Sequence, residues 1–327
     1  MIARYRTTRR DLIALLLTAA ATPPLVARAQ GRTFRLGMLV NTRDASAVEL
    51  VKALRDLGYV EGQNLTVEWR FAQGVAERWL PLAKELVALK VDAIVVPTTP
   101  AALAAKQATS TIPIVIPTAI DPVGAGLAES LARPGGNVTG FSIMSPEISG
   151  KALSLLKEAV PALRRVAVLW NAANPAFTPV WQSVDAVSGS LGLTLLPDPV
   201  RGPEDFPAAF AAIASQRPEE FFVLLDALLF LHLGEVIQFA SRERLPSAST
   251  FREFAAAGGL MSYGPNLSAL VRQAADYVDR IFKGENAATL PFQQPTTFEL
   301  VINLKTAKML GLTVPQLLLA QADDVIE

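Results

Sequence analysis

Short apolar runs alternate with amphipathic stretches of helical length along almost the whole chain. The apolar runs hold about five to seven residues, the length of a buried strand. This alternation is typical of βα units, which build parallel sheets, and it predicts an α/β protein. The predicted strands are Phe34 to Val40, Leu65 to Arg70, Ala93 to Val96, Ile114 to Pro117, Val138 to Phe141, Arg165 to Trp170, Leu193 to Leu196, Phe221 to Leu225 and Leu260 to Tyr263.

Helices are predicted in the stretches between these strands. Glycine at the C′ position ends the first of them at Gly58. The predicted helices are Ser46 to Leu57, Glu77 to Lys90, a short helix that opens at Pro100, Ser149 to Val160, Phe177 to Leu191, Pro203 to Arg217, Leu231 to Arg244 and Leu267 to Lys283.

The βα pattern falls into two similar series, so we expect two Rossmann-like α/β domains with parallel sheets. The chain continues after both sheets are complete, and it is therefore expected to cross back between them. Gly and Pro permit a change of direction near Ser142 to Pro146, Gly264 to Asn266 and Pro291 to Pro295, which predicts a three-strand hinge. The predicted lobes are residues 30–143 with 267–292, and residues 144–266 with 293–327.

The amino-acid composition excludes several classes of protein function. The chain has 327 residues, of which 51% are hydrophobic and 18% charged, values that exclude disorder as its main character. Lys and Arg together number 30 and so do Asp and Glu, so no basic field predicts nucleic-acid binding. Cysteine is absent and His232 is the single histidine, which excludes disulfides, thiolate metal sites and sites that need two histidines.

The first residues are typical of an export signal. Arg9 and Arg10 precede an apolar stretch from Leu12 to Ala21, and Ala27 and Ala29 form an A-x-A cleavage pattern. The apolar stretch is too short to span a hydrocarbon core of about 30 Å. The sequence therefore predicts a signal peptide over residues 1–29, cleaved near Ala29, and a periplasmic protein. The arginine pair fits a twin-arginine signal and also occurs in ordinary Sec signals.

Common catalytic motifs are missing from the chain. Asn41, Thr42, Arg43 and Asp44 follow the first strand where a dinucleotide site would have G-x-G-x-x-G. No phosphate-binding P-loop and no G-x-S-x-G nucleophile motif is present. His232 lies alone in a leucine-rich segment and is interpreted as a packing residue. We therefore predict no cofactor, no bound metal and no catalytic residue.

Polar side chains instead follow the predicted strands, where open α/β sheets bind ligands. We interpret Thr99 as the N-cap of a helix with Pro100 at N1. In one interpretation the amides of Ala101 and Ala102 are free to bind a carboxylate, and in the other Thr99 only caps the helix. Asp121 either pairs with a ligand ammonium or caps a helix beginning near Val123. Trp170 or Tyr263 supplies an aromatic wall, unless Trp170 is a core residue. The candidate ligand-binding residues are Asn41, Thr42, Thr98, Thr99, Thr118, Asp121, Ser142, Asn171, Asp226 and Tyr263.

Five segments of the chain, taken in order, carry a family pattern: GYVEGQNLTVEWR (58–70), PTTPAALAAKQATSTIPIV (97–115), DPVGAGLAESLARPGGNVTG (121–140), GGLMSYGPN (258–266) and PTTFELVINLKTAKMLGL (295–312). These segments resemble the periplasmic solute-binding proteins of ABC transporters related to the tryptophan/tyrosine-binding group. The resemblance implies a type I periplasmic-binding fold with the ligand between two lobes and without catalytic residues. It carries over every candidate residue above except Thr118. The sequence departs from the family pattern at Ile120, where glycine is common, and at Ala227, where proline is common.

The leading hypothesis is a monomeric receptor that traps a small amino-acid-like solute by hinge closure and delivers it to a membrane permease and its ATPase. The expected contacts are the solute carboxylate at Thr98 and Thr99, and its ammonium at Asp121 or Asp226. Two alternatives stay open: a receptor that reports to a sensor kinase or chemoreceptor, and an exported α/β enzyme. A LacI-like repressor is disfavoured because a signal peptide occupies the place of a helix-turn-helix.

Overall fold

Two separate sheets organise the chain in the computed structural model, which describes residues 32–143 and 145–327. The predicted signal peptide lies outside the described residues. All neighbouring strands of the first sheet are parallel, in the order β2-β1-β3-β4-β5. Its strands are β1 (Phe34–Val40), β2 (Leu65–Phe71), β3 (Ala93–Val95), β4 (Ile114–Ala119) and β5 (Val138–Ser142).

The second sheet has the order β12-β11-β10-β9-β8-β6-β7. Its neighbouring strands are parallel except β10 and β11, which run antiparallel. This pair corrects the expectation of wholly parallel sheets, and the reason is the path of the chain, which leaves β10 for the first sheet and re-enters as β11 from the same end. The strands are β6 (Arg165–Asn171), β7 (Thr194–Val200), β8 (Glu220–Leu224), β9 (Ser247–Ser249), β10 (Met261–Gly264), β11 (Glu299–Asn303) and β12 (Asp324–Ile326).

Helices connect the strands, as the βα pattern predicts. One predicted helix, Leu231 to Arg244, is wrong in detail. Leu231 ends a separate short helix that begins at Ala227, and the predicted helix starts after His232, at Leu233, and ends at Arg242. The helices are α1 (Ala45–Asp56), α2 (Trp79–Ala88), α3 (Thr99–Ala108), α4 (Ser145–Ala159), α5 (Phe177–Ser190), α6 (Phe206–Gln216), α7 (Ala227–Leu231), α8 (Leu233–Arg242), α9 (Arg252–Ala256), α10 (Leu267–Phe282), α11 (Leu304–Leu310) and α12 (Gln316–Gln321). None of the helices in the described part of the chain combines the length and apolar character needed to cross a bilayer.

We call the first sheet with the helices packed on it the first lobe, and the second sheet with its helices the second lobe. Helix α10 follows a strand of the second sheet but packs on α1 and β4 of the first. The chain therefore passes between the lobes after β5, after β10 and before β11. Two of these crossings run side by side, because Ser142 N donates to Gln293 O at 2.8 Å and Gln293 N donates to Gly140 O at 3.0 Å.

A glycine between β4 and β5 and two prolines in β7 are the backbone features that constrain how the sheets are built. Gly140 has a φ of +146°, and a β-carbon there would lie 1.9 Å from the Ile116 carbonyl oxygen, so only glycine fits between β4 and β5. At the edge of the second sheet, β7 pairs only with β6 and carries Pro197 and Pro199. Proline has no backbone N–H and is tolerated at an edge when that position faces away from the neighbouring strand.

Candidate ligand-binding cleft

A cavity of about 350 Å³ lies between the lobes, at the carboxyl ends of β1, β3, β4 and β8. Parallel strands end at one edge of a sheet, so the loops that follow them meet there. Among the predicted site residues, the structure brings together Asn41, Thr42, Thr98, Thr99, Thr118 and Asp226 in the cavity wall.

The first lobe contributes the segment from Asn41 to Ser46. The Asp44 side chain caps α1 by accepting from Ala47 N at 2.9 Å through Oδ1. Thr42 and Ser46 line the cavity, and their hydroxyls have no hydrogen-bond partner within the described part of the protein. This segment therefore presents polar groups whose bonding capacity is unused.

Helix α3 begins at the cavity one residue earlier than the sequence predicts. Thr98, rather than Thr99, is the N-cap, and Thr99 lies in the first turn. The hydroxyl of Thr99 is buried and accepts from Ile120 N at 3.0 Å. The expected free amides are also engaged, because Ala101 N points to Thr98 Oγ1 at 3.5 Å and Ala102 N donates to Thr98 O at 2.9 Å.

Thr118 belongs to the same network. Its Oγ1 donates to Pro97 O at 2.7 Å, which ties the end of β4 to the turn that leads into α3. The hydroxyls of Thr99 and Thr118 thus join neighbouring loops of the first lobe, and both side chains also form part of the cavity wall.

Asp226 is the centre of the polar side of the second lobe. Its Oδ1 caps α7 by accepting from the backbone N–H groups of Leu228 at 3.0 Å and Leu229 at 3.1 Å. Its Oδ2 accepts from Asn171 Nδ2 at 2.7 Å and Asn174 Nδ2 at 3.4 Å. Burial raises the pKa of Asp226, and these hydrogen bonds oppose that rise. The carboxylate is therefore already satisfied by the protein.

Apolar side chains form the rest of the second-lobe wall: Leu225, Phe230, Leu231 and Phe251. Sequence reasoning did not identify them. A signal for Phe230 exists, because Asp226 as an N-cap starts a helix whose first turns include it. Phe251 follows β9, a strand too short and too polar to be predicted.

Four candidate residues lie outside the cavity wall. Asp121 is exposed, has a φ of +40° and accepts from Gly124 N at 2.9 Å within a turn. The expected helix near Val123 is absent from this described segment, because two glycines, one of them Gly126 with a φ of +71°, favour the turn. Asn171 does not line the cavity but donates a hydrogen bond from Nδ2 to Asp226 Oδ2.

Ser142 and the expected aromatic residues also lie away from the cavity. Ser142 is buried in the first crossing. Tyr263 stacks on Phe298 with ring centroids 6.0 Å apart. Trp170 stacks on Trp181, also at 6.0 Å, and packs against the core.

The two lobes approach each other at Gly74 and Leu231, of which Leu231 lines the cavity. Asn41 holds the turn after β2, because its Oδ1 accepts from Gly74 N at 3.1 Å. A β-carbon at Gly74 would lie 3.2 Å from Leu231 Cδ2 of the second lobe. A cavity-lining side chain of the first lobe thus positions a turn against the second lobe.

Among the residues that the structure describes, the wall of the cavity carries acidic groups but no basic ones. Asp44 and Asp226 are the ionisable residues of this part of the wall, and no described Lys, Arg or His contributes to it. Within the described residues no cluster of three or more His, Cys, Asp or Glu side chains could hold a metal ion. The cavity therefore combines an apolar surface with hydroxyls and two carboxylates.

Comparisons with known proteins agree on the fold. A family model described as ABC transporter substrate binding protein matches residues 40–326. A protein named tyrosine-binding protein from Clostridioides difficile (strain R20291) is 26% identical over 270 residues, covering 82% of this chain and 77% of that protein.

Two solved structures are similar over 90% of this chain. The first is an ABC domain in complex with L-Trp from Streptococcus pneumoniae, at 25% identity, with 100% of that chain covered and a TM-score of 0.83. The second is the ligand-free, open structure of a substrate binding protein with adhesive properties from Clostridium difficile, at 24% identity, with 99% of that chain covered and a TM-score of 0.64. The fold predicted from the sequence, two α/β lobes of the periplasmic-binding type, is confirmed.

Proposed function

Because the chain belongs to the family of ABC transporter substrate-binding proteins, we propose that it is the solute receptor of an ABC importer and binds a small amino-acid-like solute. The observation that carries the proposal is the cavity of about 350 Å³ whose wall comes from both lobes. A solute bound there contacts both lobes at once. The proposed lobes are residues 30–143 with 267–292, and residues 144–266 with 293–327.

The receptor traps its solute by closing the lobes about the three crossings. A solute that touches both lobes binds the closed state better than the open state, so it shifts an existing equilibrium toward closure. The arrangement described here supports a closed state. The chain superposes more closely on the L-Trp complex than on the ligand-free, open structure, although both comparisons cover the same share of this chain.

The proposed ligand contacts are Asn41, Thr42 and Thr98 of the first lobe, with Asp226 in the opposite wall. An amino-acid-like solute is supported by relatives named for tyrosine or solved with L-Trp. The amides of Ala101 and Ala102 bond to Thr98, so the start of α3 attracts a carboxylate through the helix dipole and not through these two amides. The receptor acts as a monomer outside the cytoplasmic membrane, after removal of a signal peptide near Ala29, and delivers its solute to a permease and ATPase.

Identifying the solute tests the proposal. Protein lacking residues 1–29 is purified and denatured, and any small molecule released is identified by mass spectrometry. A panel of the twenty amino acids is then screened by thermal shift and by calorimetry. A solute present at about 100 times its Kd should add about 2.7 kcal/mol of stability.

Two outcomes decide the proposal. Binding of an amino acid, together with a smaller radius of gyration in X-ray scattering when it is added, supports the trapping receptor. Stimulation of the permease-bound ATPase by the loaded protein tests the importer role. A chain that releases no solute on denaturation and is stabilised by no amino acid overturns the proposed function.

A further inference from the structure

We propose that Glu299 is a positioning residue: it holds the crossing between β10 and α10 in the closed arrangement of the lobes, although it does not line the cavity. The inference rests on the proposed function, because it supposes that solute affinity depends on closure of the lobes. We call the side chains of Asn266, Glu299 and Arg252 the hinge clamp.

The crossing between β10 and α10 is short, and one side chain spans it. Two residues, Pro265 and Asn266, lie between the end of the strand and the start of the helix. Asn266 Oδ1 caps α10 by accepting from Ala269 N at 2.8 Å. Asn266 Nδ2 donates to Glu299 Oε1 of β11 at 2.7 Å. A single amide group therefore bonds to a helix of the first lobe and to a strand of the second lobe.

The second lobe holds Glu299 in turn. Its backbone pairs with Gly264 where the ladder between β10 and β11 ends. Its Oε2 accepts from Arg252 Nη1 at 3.5 Å, and Arg252 Nη2 donates to Asp324 Oδ2 at 2.6 Å. The two oxygens of Glu299 thus have different tasks, because Oε1 reaches the crossing and Oε2 is oriented by the second lobe.

Backbone contacts leave few residues at which the angle between the lobes can change. A β-carbon at Gly264 would lie 1.7 Å from Thr250 O, so the end of β10 lies directly against the segment that leads into α9. On the other side, Tyr277 OH donates to Pro291 O at 2.6 Å and ties the crossing before β11 to α10. Hinge motion is absorbed by the few residues between such anchors, and the clamp lies among them.

The clamp adjoins the cavity on both sides. Phe251 precedes Arg252 and lines the cavity, and Leu267 follows Asn266 and lines it as well. A solute that touches Phe251 and Leu267 favours the same relative position of the lobes as the clamp does. Because the clamp itself does not line the cavity, its contribution to closure is the same for every solute.

Loss of the clamp should therefore weaken the binding of all solutes by one factor. Apparent affinity is proportional to the fraction of the protein in the binding-competent state. Glu299 is partly exposed, so its bond to Asn266 is at the weak end for hydrogen bonds to charged groups. Removing such a bond lowers the closed fraction, and with it the affinity, by about tenfold.

Calorimetry with tryptophan and tyrosine tests this expectation. Asn266→Ser keeps a side-chain oxygen that caps α10 but removes the donor to Glu299. Asn266→Ser and Glu299→Ala should each raise the Kd of both solutes about tenfold and leave the ratio of the two Kd values unchanged. Glu299→Gln keeps an oxygen that accepts from Asn266, and it should raise either Kd by no more than about threefold.

A double variant shows whether the two side chains act through one bond. Changes to residues that share an interaction are not additive. The variant with both Asn266→Ser and Glu299→Ala should therefore bind about tenfold more weakly than the wild type, as each single variant does, and not about a hundredfold more weakly.

Fluorescent labels measure the angle between the lobes directly. The chain has no cysteine, so labels attach only where Glu77→Cys and Arg201→Cys introduce one. Both positions are exposed and follow the edge strands β2 and β7, one on each lobe. Without solute, Asn266→Ser and Glu299→Ala should show a smaller closed fraction than the wild type in single-molecule energy transfer. Saturating tryptophan should restore the closed distance.

Matched controls remove similar groups within the first lobe. Asn286→Ser changes an exposed cap whose Oδ1 accepts from Ala288 N at 3.0 Å. Glu285→Ala removes a carboxylate that accepts from Arg280 Nη2 at 2.7 Å. Neither variant should change a Kd or the closed fraction.

Specific results overturn the inference. It fails if Asn266→Ser changes neither the Kd values nor the closed fraction, if the two solutes are affected by different factors, or if the single effects add in the double variant. If Glu299→Ala does not fold, as judged by circular dichroism, Glu299→Ser replaces it in the same comparisons. If the wild type binds no amino acid, the proposed function fails, and the closed fractions without solute decide the role of the clamp.

Discussion

Replacing Asp198 by asparagine should stabilise the second lobe at pH 8 and leave its stability nearly unchanged at pH 4. Asp198 lies on β7 and is 5% exposed. Its Oδ1 accepts from Gln216 Nε2 at 3.1 Å. Within the described residues, Asp198 Oδ2 and Gln216 Oε1 are buried without a partner. The pair lacks one donor, which a protonated carboxyl group or an amide supplies.

The magnitude follows from the pKa of this group. Burial raises the pKa of Asp198 from 3.8 to about 6, and the hydrogen bond from Gln216 opposes part of that rise. The folded state therefore holds the proton more tightly than the unfolded state, and stability falls as the pH rises from about 4 to about 6. A pKa difference of one corresponds to about 1.4 kcal/mol, so ionised Asp198 costs up to about 3 kcal/mol above pH 6.

Urea unfolding at pH values between 4 and 8 measures this cost. The free energy of unfolding of Asp198→Asn, minus that of the wild type, should rise by about 2 to 3 kcal/mol across the range. Asp185→Asn removes an exposed carboxylate from α5 and should show no such rise. A difference that is independent of pH, or a variant less stable than the wild type at pH 8, would refute the reasoning.

Three further predictions concern other parts of the chain. Glu220→Gln should stabilise the protein at neutral pH, and urea unfolding measures this change. Glu220 is fully buried, and both its carboxylate oxygens lack a partner among the described residues. Burial therefore raises the pKa of Glu220 well above its usual range. Leu231→Ser should speed solute dissociation several-fold in stopped-flow measurements and leave the association rate unchanged, because Leu231 lines the cavity and lies next to Gly74 of the other lobe. Equal changes in both rates would count against this role of Leu231. Gly140→Ala should lower the free energy of unfolding by more than about 3 kcal/mol, because the β-carbon of alanine would collide with Ile116 O. A variant as stable as the wild type would contradict the close approach of β4 and β5 at Gly140.

Strands with long apolar runs are the part of the fold that the sequence makes predictable. The strands Phe34–Val40 and Arg165–Asn171 each hold a run free of polar side chains, at Leu36–Val40 and Val166–Trp170, because helices cover both faces of a parallel sheet. Strand β9 is missed because its residues Ser247–Ser249 are small and mostly polar, although all three are buried. Strand β12, at Asp324–Ile326, is missed because its pairing with β11 depends on a long-range return of the chain.

The candidate site also has residues that the sequence makes predictable and residues that it does not. Asn41, Thr42 and Asp226 are predictable because a polar residue directly after a buried strand marks the ligand-binding edge of an α/β sheet. Phe230 and Phe251 are not, because an apolar residue that faces a cavity has the same sequence signal as one that faces the core. The order of the elements was therefore easier to predict than the chemistry of the wall.

The two prolines of β7 determine how this molecule can meet copies of itself. Alternate residues of an edge strand direct their N–H groups outward, and Pro197 and Pro199 remove two successive donors from that outer row. An incoming strand would find acceptors without the matching donors and could not form a regular ladder. This border of the sheet consequently resists fibril growth, a useful property for a chain that has no disulfide to limit its unfolding.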